Sequence, residues 1–422
     1  MSTARVVRSG PIRFAVAERF ALPRIVPGGQ PAPTGDICPQ APSRLDAVMG
    51  PPHDRPPQSE DCLHLTVTTP TTSTAGDAHT GRPVLVWLHG GGFSSGAGVL
   101  DWYDGGALAE EQDVVVVSVG HRLGALGYLV LDGVSEGNLG LHDQLAALRW
   151  VHDNIARYGG DPGNVTLFGQ SAGALAIRLF MSAPSARGLF HRAILQSPPL
   201  SIAARPLTEA RATGRIFADH LARLGADPRT ASAADLLTAQ LHTATEVQRR
   251  TGNFLAPPFG PVADTDPIPD GTGDLDTHPD VPDLLYGWNA DDMSAFAEGL
   301  RDSGSVHERT SRTYELPLTT LADELRRHGG QVHGYRLDWR PPGSPYGATH
   351  CVELPLLLGT PEAWKDSPML GNLDWPDVDR LGRRVRAAWA SFARTGDPGP
   401  LPAPLVTVGR TSARQRAAET PR

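Results

Sequence analysis

Several features are scarce or missing in this chain of 422 residues. It has 3 cysteines (Cys38, Cys62 and Cys351), which form neither a metal-binding pattern nor a disulfide scaffold. No stretch reaches the roughly 18 uninterrupted apolar residues that a membrane-spanning helix needs. The start, Met1 to Arg8, has no apolar segment of the kind found in export signals. We therefore expect no secretory signal, no membrane span and a cytoplasmic location.

Positive charge is also scarce. The formal net charge is −8, Lys365 is the single lysine, and the arginines form no basic block, which argues against nucleic acid as a partner. Apolar residues at 40% and charged residues at 20% indicate an ordinary soluble globular protein. The 46 glycines and 39 prolines exceed the usual share but stay below the level of disordered chains, and they predict many ordered loops.

Short apolar runs recur along the chain, each bounded by Gly, Pro or Asp. They are residues 84–88, 114–119, 165–168, 193–195, 284–286 and 332–337. Near-continuous Val and Leu runs of this length fit strands that are buried on both faces, as in a parallel sheet. Helical patterns fall between the runs. The alternation predicts an α/β fold with a mostly parallel central sheet and helices on both faces.

Helical periodicity is clearest in one segment. Its apolar residues, spaced by three or four, are Leu141, Leu145, Leu148, Val151 and Ile155, and residues 159–162 read as its stop signal. Residues 205–250 read as mostly helical and polar, and we predict that they and residues 297–345 form cap or peripheral segments of a single domain over 1–403. Residues 404–422 lack periodicity and are predicted to be a mobile tail.

A strand-like run leads directly into a Gly-x-Ser-x-Gly sequence, and a small-residue apolar segment of helical character follows. The run is residues 165–168 and the pentapeptide is residues 169–173. This is the context of a nucleophile elbow, a turn so tight that side chains two residues before and after the serine would collide. Ser171 is therefore predicted to be a nucleophile. The alternative is a surface turn that contains two glycines.

A serine nucleophile needs donors for the oxyanion that forms in the reaction. The glycine-rich sequence His89-Gly90-Gly91-Gly92 directly follows a predicted strand, and such a loop shares the oxyanion with the N–H of the residue after the serine, here Ala172. A glycine-rich turn of this kind could instead hold phosphate. No Gly-Lys-Ser/Thr and no complete dinucleotide fingerprint follows, which argues against that alternative.

The serine also needs a base and an acid that orients it. His350 lies in a late loop after a predicted strand, but with 15 histidines in the chain its position alone says little. In proteins with such a nucleophile elbow, the acid lies between the serine and the histidine in the sequence. Asp291 and Asp292 both follow the strand over 284–286. Spacing does not separate them, and two adjacent acids are by default a solvated turn.

Taken together, these segments resemble the type-B carboxylesterase/cholinesterase family of α/β-hydrolases from about residue 10 to about residue 400. The resemblance is carried by the elbow, by the glycine-rich loop and by four further segments, which are Ser59–Leu63, His121–Leu129, Gly137–Gln144 and Thr395–Pro398. It implies an α/β-hydrolase fold, a serine carboxylesterase without metal or organic cofactor, and a small-molecule ester as substrate.

The resemblance also implies roles for individual residues. Ser171 would be the nucleophile, His350 the base and Asp292 the acid. The N–H groups of Gly91, Gly92 and Ala172 would form the oxyanion hole. Ser197 matches a family serine that supports the acid, although it could equally cap its own strand end. Cys38 and Cys62 match a family disulfide pair, but they could also be reduced.

The chain departs from the family in several ways. Gln170 stands where the family usually has Glu, and the acid is Asp rather than Glu. The N-terminal segment and the stretch between Phe296 and His350 both look abbreviated, and the segment after Pro398 does not follow the family pattern. We expect activity to survive, with a shortened cap. Two other functions stay open: a catalytically silent interaction protein, and a hydrolase of amides, carbamates or lactones that uses the same residues.

Overall fold

The computed structural model describes residues 5–32, 34–71, 81–202, 204–252, 257–268, 282–296 and 303–409. Within these ranges the strands are β1 Val6–Val16, β2 Arg24–Pro31, β3 His64–Pro70, β4 Arg82–Leu88, β5 Val115–Val119, β6 Val130–Leu131, β7 Ser135–Glu136, β8 Gly160–Gln170, β9 Arg192–Gln196, β10 Asp283–Asn289, β11 Val332–Leu337 and β12 Leu405–Val408. Ten of them form one sheet, in the order β12-β11-β10-β9-β8-β4-β5-β3-β1-β2, and β6 pairs with β7 separately.

The centre of the sheet is parallel and its margins are antiparallel. Strands β5, β4, β8, β9, β10 and β11 pair in parallel, whereas β3, β1 and β2 on one side and β12 on the other pair antiparallel. The prediction of a mostly parallel sheet flanked by helices is confirmed. The apolar runs mark the parallel centre because both faces of its strands are buried. In β4, Val84, Val86 and Leu88 enter one core while Leu85 and Trp87 enter the other.

Helices cover both faces of the sheet. They are α1 Asp46–Met49, α2 Gly106–Gln112, α3 Gly124–Tyr128, α4 Leu139–Asn154, α5 Ala172–Phe180, α6 Leu207–Arg223, α7 Ala233–Thr251, α8 Ser303–Thr310, α9 Leu316–Arg327, α10 Leu354–Leu357, α11 Pro361–Trp364 and α12 Trp375–Thr395. The core with α4, α5 and α9 lies on one face, and the core with α2, α10 and α12 on the other. The predicted stripe of α4 is fully buried.

Some boundaries differ from the predictions. The tail does not begin at residue 404, because β12 pairs antiparallel with β11 and buries Leu405. Residues 410–422 lie outside the described residues, as do residues 297–302 of the predicted peripheral segment. That segment also contains β11, which belongs to the central sheet. Residues 205–250 form α6 and α7 as predicted. No helix among the described residues is long and apolar enough to cross a membrane.

Candidate active site

The predicted elbow joins β8 to α5. Ser171 separates the two elements and has φ 55° and ψ −120°, a strained conformation for a residue with a side chain. A Cβ on Gly169 would lie 2.9 Å from the backbone carbon of Gly173, as the predicted tightness of the turn requires. A Cβ on Gly173 would instead overlap the carbonyl oxygen of Leu88 in β4. Gly173 is therefore needed because helix α5 begins in close contact with strand β4.

His350 and Asp292 meet beside this turn. The Nδ1 atom of the imidazole lies 2.7 Å from Oδ1 of the carboxylate, and both side chains are fully buried. The other carboxylate oxygen accepts from the hydroxyl of Ser197 at 2.9 Å and from the backbone N–H of Asn289 at 2.8 Å. The imidazole therefore carries its proton on Nδ1 and directs Nε2 away from the carboxylate.

Asp291, the other member of the acidic pair, has different partners. Its carboxylate accepts two hydrogen bonds from Arg340, at 2.7 and 3.0 Å, and one from the backbone N–H of Ala348 at 2.9 Å. The backbone N–H of Asp291 also donates to the carbonyl of Ala348. Asp291 therefore fastens the loop that carries His350, while Asp292 contacts its ring. Sequence spacing did not separate these two tasks, but the structure does.

A buried polar network behind the histidine was not predicted. Asn289, at the end of β10, donates to the carbonyl of Thr349 at 2.8 Å and to the carboxyl group of Glu353 at 2.6 Å. Burial and the nearby Asp292 raise the pKa of Glu353 above its usual value. On the other side of Glu353, Gln196 donates to the carboxyl group at 3.4 Å. A carboxyl group three residues after His350, in an otherwise apolar run, was the available sequence signal.

Gln170 directly precedes the serine and contacts the histidine. Its Nε2 atom lies 3.0 Å from Nε2 of His350, so the carboxamide donates to the ring nitrogen that a serine nucleophile would use. The Ser171 hydroxyl makes no hydrogen bond to any residue that the structure describes. Catalytic hydrogen bonds are often long before substrate binds. The side chain that replaces the family's Glu is therefore a direct neighbour of the predicted base.

The glycine-rich loop after β4 curls back on itself beside Ser171. The backbone N–H groups of Ser94 and Ser95 both donate to the carbonyl of Gly91 at 3.1 Å. Gly91 has φ 104° and Gly92 φ 60°, so this path favours glycine. No acceptor for the N–H groups of Gly91, Gly92 and Ala172 occurs among the described residues. All three residues line one cavity with Ser171.

This cavity has a volume of about 210 Å³ and mostly apolar walls. Two aromatic rings on its wall enclose the histidine. The ring centroid of Phe296 lies 5.2 Å from that of His350, and the centroid of Tyr314 lies 5.5 Å from it in a stacked arrangement. Tyr314 sits in a π-helical turn, Ser311–Glu315. Both rings therefore pack against the buried imidazole at the wall of the cavity that contains Ser171.

The cysteines take no part in this cavity. Cys38 and Cys62 are both buried free thiols in this structure, which is one of the two states that the sequence left open. A hydrogen bond with Cys38, together with burial, raises the pKa of the Cys62 thiol. The sulfur of Cys38 also accepts from the N–H of Leu123 at 3.2 Å. Cys351, next to the histidine, is buried as a packing residue. Within the described ranges no group of His, Cys, Asp and Glu could hold a metal ion.

The order of strands and helices and the serine turn at the end of β8 define an α/β-hydrolase. A family model described as the carboxylesterase family matches residues 12–314. The chain is 41% identical over 409 residues to the probable N-octanoylanthranilate hydrolase AqdA2 of Rhodococcus erythropolis, covering 91% of this chain and 88% of that protein. It is 34% identical to the para-nitrobenzyl esterase of Bacillus subtilis (strain 168), covering 86% and 79%.

A solved structure of a PNB esterase superposes on the whole chain. The TM-score is 0.80 at 27% identity, covering 100% of this chain and 97% of that one. The protein belongs to the carboxylesterase family, as the sequence resemblance predicted, and it is a carboxylic ester hydrolase. Its relatives do not favour the alternative of a silent interaction protein.

Proposed function

We propose that Ser171, His350 and Asp292 form the triad through which this protein hydrolyses small-molecule carboxylic esters. The observation that supports it best is the 2.7 Å contact between the buried His350 and Asp292, next to a serine at a strained turn. A histidine held by a carboxylate at Nδ1 is free to accept a proton at Nε2. The cytoplasmic location and the absence of a cofactor stay predictions of the sequence.

In the first half-reaction, the Ser171 hydroxyl attacks the ester carbonyl and its proton passes to Nε2 of His350. For this, Ser171 replaces or shares the Gln170 contact at that nitrogen. Asp292 keeps the proton on Nδ1 and stabilises the imidazolium that forms. The oxyanion accepts from the N–H groups of Gly91, Gly92 and Ala172. One such donor is worth about 10²–10³ in rate in a known serine hydrolase.

To complete this half-reaction, the imidazolium gives its proton to the oxygen of the leaving alcohol as the tetrahedral intermediate collapses to an acyl-serine. In the second half-reaction, water attacks the acyl carbonyl while His350 takes its proton, and His350 then gives that proton to the Ser171 oxygen as the acid product leaves. Every step uses groups of this chain. The apolar walls of the cavity favour substrates with an apolar or aromatic part next to the scissile ester.

The test is turnover of 4-nitrophenyl butyrate combined with labelling by a fluorophosphonate probe. Ser171→Ala is expected to lose turnover and labelling while its thermal midpoint stays close to that of the parent. The matched control is Ser43→Ala, since Ser43 lines the same cavity and its hydroxyl accepts a hydrogen bond from the N–H of Leu45. Labelled peptide should map to Ser171.

Wild-type-like turnover in Ser171→Ala, or a label on another serine, would refute the assignment. The matching 4-nitroanilide of butyric acid tests the amide alternative. A rate on the anilide comparable with that on the ester would extend the function to amides.

A further inference from the structure

The cavity that contains Ser171 has a charge opposite to that of the protein. The chain has a formal net charge of −8. The described part of the cavity wall contains two arginines, Arg44 and Arg205, and no Asp or Glu. Apolar walls strengthen the field of a charge by excluding water. The cavity is therefore a place where an anionic group would be attracted and a cationic one repelled.

Arg44 lies beside the residues that surround the reaction. Its Nη2 atom would be 3.6 Å from a Cβ built on Gly92, in the predicted oxyanion hole. Its charge also acts on Tyr314, whose ring stacks on His350. Arg44 is thus flanked by both the oxyanion loop and the ring next to the base. Its side chain reaches solvent, so a substrate can approach it.

Arg205 has a structural task in the same wall. Its guanidinium donates to the carbonyl of Pro258, and its backbone pairs with Pro261 and Ala263. Arg205 therefore holds the loop over 257–263 against the start of α6. It carries the same charge into the same cavity without being placed beside Gly92, which makes it a matched control for Arg44.

We propose that Arg44 binds a carboxylate of the substrate, so that the preferred substrates are esters that also carry a free carboxylate. This rests on the proposed function, because it assumes that the ester reacts at Ser171. A guanidinium presents parallel N–H donors that match a carboxylate. The cavity wall partly desolvates Arg44, which lowers the pKa of its guanidinium but leaves it charged at neutral pH.

The carboxylate can belong to the acyl part or to the alcohol part of the ester, and paired substrates distinguish the two. For the acyl part, 4-nitrophenyl hydrogen glutarate is compared with 4-nitrophenyl valerate. For the alcohol part, 4-carboxyphenyl butyrate is compared with 4-methylphenyl butyrate. Each pair differs mainly in charge, so the ratio of the two kcat/KM values reports recognition of the carboxylate. The neutral members report the proposed function by themselves.

We expect the parent to prefer the anionic member of at least one pair. Arg44→Gln should reduce that preference about ten- to hundredfold, mostly through KM, since hydrogen bonds to charged groups have this magnitude. It should lower kcat/KM for the neutral esters less than for the anionic ones. Arg205→Gln should keep most of the preference. Added salt should weaken the preference in the parent and not in Arg44→Gln.

Three results would overturn the proposal while the neutral esters are still hydrolysed: no anionic preference in either pair, equal losses on charged and neutral esters in Arg44→Gln, or equal effects of the two arginine variants. Arg44→Lys separates charge from shape. It should restore part of the preference lost in Arg44→Gln, and a failure to restore any would also count against the proposal. A parent inactive on all four esters would refute the proposed function instead.

Discussion

Ser197 donates a hydrogen bond to the carboxylate oxygen of Asp292 that does not face His350. The Oγ–Oδ2 distance is 2.9 Å, and both side chains are buried. Ser197 itself has φ 46°, in the left-handed region. The sequence left two roles open for Ser197, and in the structure its hydroxyl contacts the acid. Strain at the strand end and the hydrogen bond together hold the carboxylate in one orientation.

We predict that Ser197→Ala lowers kcat/KM for a neutral aryl ester by about tenfold. Hydrogen bonds to charged groups contribute about 1.5–3 kcal/mol, and the N–H of Asn289 remains to hold the same oxygen. The measurement is steady-state kinetics on 4-nitrophenyl butyrate. Ser391→Ala, which removes an exposed hydroxyl bonded to the Asp397 carbonyl, is the control and should not change the rate. Unchanged kinetics in Ser197→Ala would show that the contact does not orient the acid.

The two adjacent aspartates should respond very differently to the same change. Asp292→Asn presents an amide to Nδ1 of His350 and favours the wrong tautomer, so we expect a fall in kcat of about 10⁴-fold, as in another serine hydrolase. Asp291→Asn weakens the pair with Arg340 but keeps a carbonyl oxygen for Ala348. We expect less than a tenfold change there. Parallel kinetics on both variants check this, and a larger loss in Asp291→Asn would reverse the assignment.

The parallel centre of the fold could be predicted from the sequence, whereas the antiparallel margin could not. Runs such as Val115–Val119 are buried on both faces and so are continuously apolar. Strand β1, Val6–Val16, contains Gly10 and Pro11, and none of its first six residues is buried, so its sequence resembles irregular chain. Its pairing with β3 depends on residues more than 50 positions away.

The site residues that belong to a local sequence motif could be predicted. The Ser171 turn and the loop with Gly91 have such motifs. The partners of Asn289 and Glu353 do not, because these two residues meet across 64 positions of sequence and only the folded sheet brings them together. For the same reason spacing could not distinguish Asp292 from Asp291, which differ only in the side chains that surround them.

Substitutions of Gln170 test how the residue before Ser171 affects the pH dependence of catalysis by His350. We predict that Gln170→Glu moves the acid limb of the kcat/KM profile to higher pH by about one unit. A carboxylate beside Nε2 of His350 stabilises the protonated imidazole, so protonation switches the base off at a higher pH. The carboxamide only donates to the neutral ring. The profile is measured from pH 4 to pH 9 with a neutral ester.

The control for this change is Gln170→Ala, which removes the hydrogen bond without adding charge. Its acid limb should not move upward. An unmoved limb in Gln170→Glu, or the same upward shift in both variants, would contradict an electrostatic influence of this position on the base.

His89, the first residue of the glycine-rich sequence, forms a stacked pair of buried rings with His121. The ring centroids of His89 and His121 are 4.6 Å apart, and Nε2 of each ring is buried with no partner among the described residues. Burial lowers the pKa of His89 to about 3 and that of His121 to about 4. Both rings therefore stay neutral in the folded protein at pH 5, whereas in the unfolded chain they are protonated below about 6.5.

We predict that acid destabilises this protein through that pair. Because the unfolded chain binds more protons, stability falls as the pH drops below 6.5, by about 2 kcal/mol per histidine at pH 5. His121→Asn can keep the contact to the Arg122 carbonyl. Whatever this substitution does to stability at pH 7, it should remove about half of the contribution that the two histidines make to the slope of unfolding free energy against pH. Urea unfolding between pH 7 and pH 5 measures the slope. His152→Asn, at an exposed site, is the control and should retain the parent's slope. If His121→Asn retained it as well, the buried pair would not be the source of acid sensitivity.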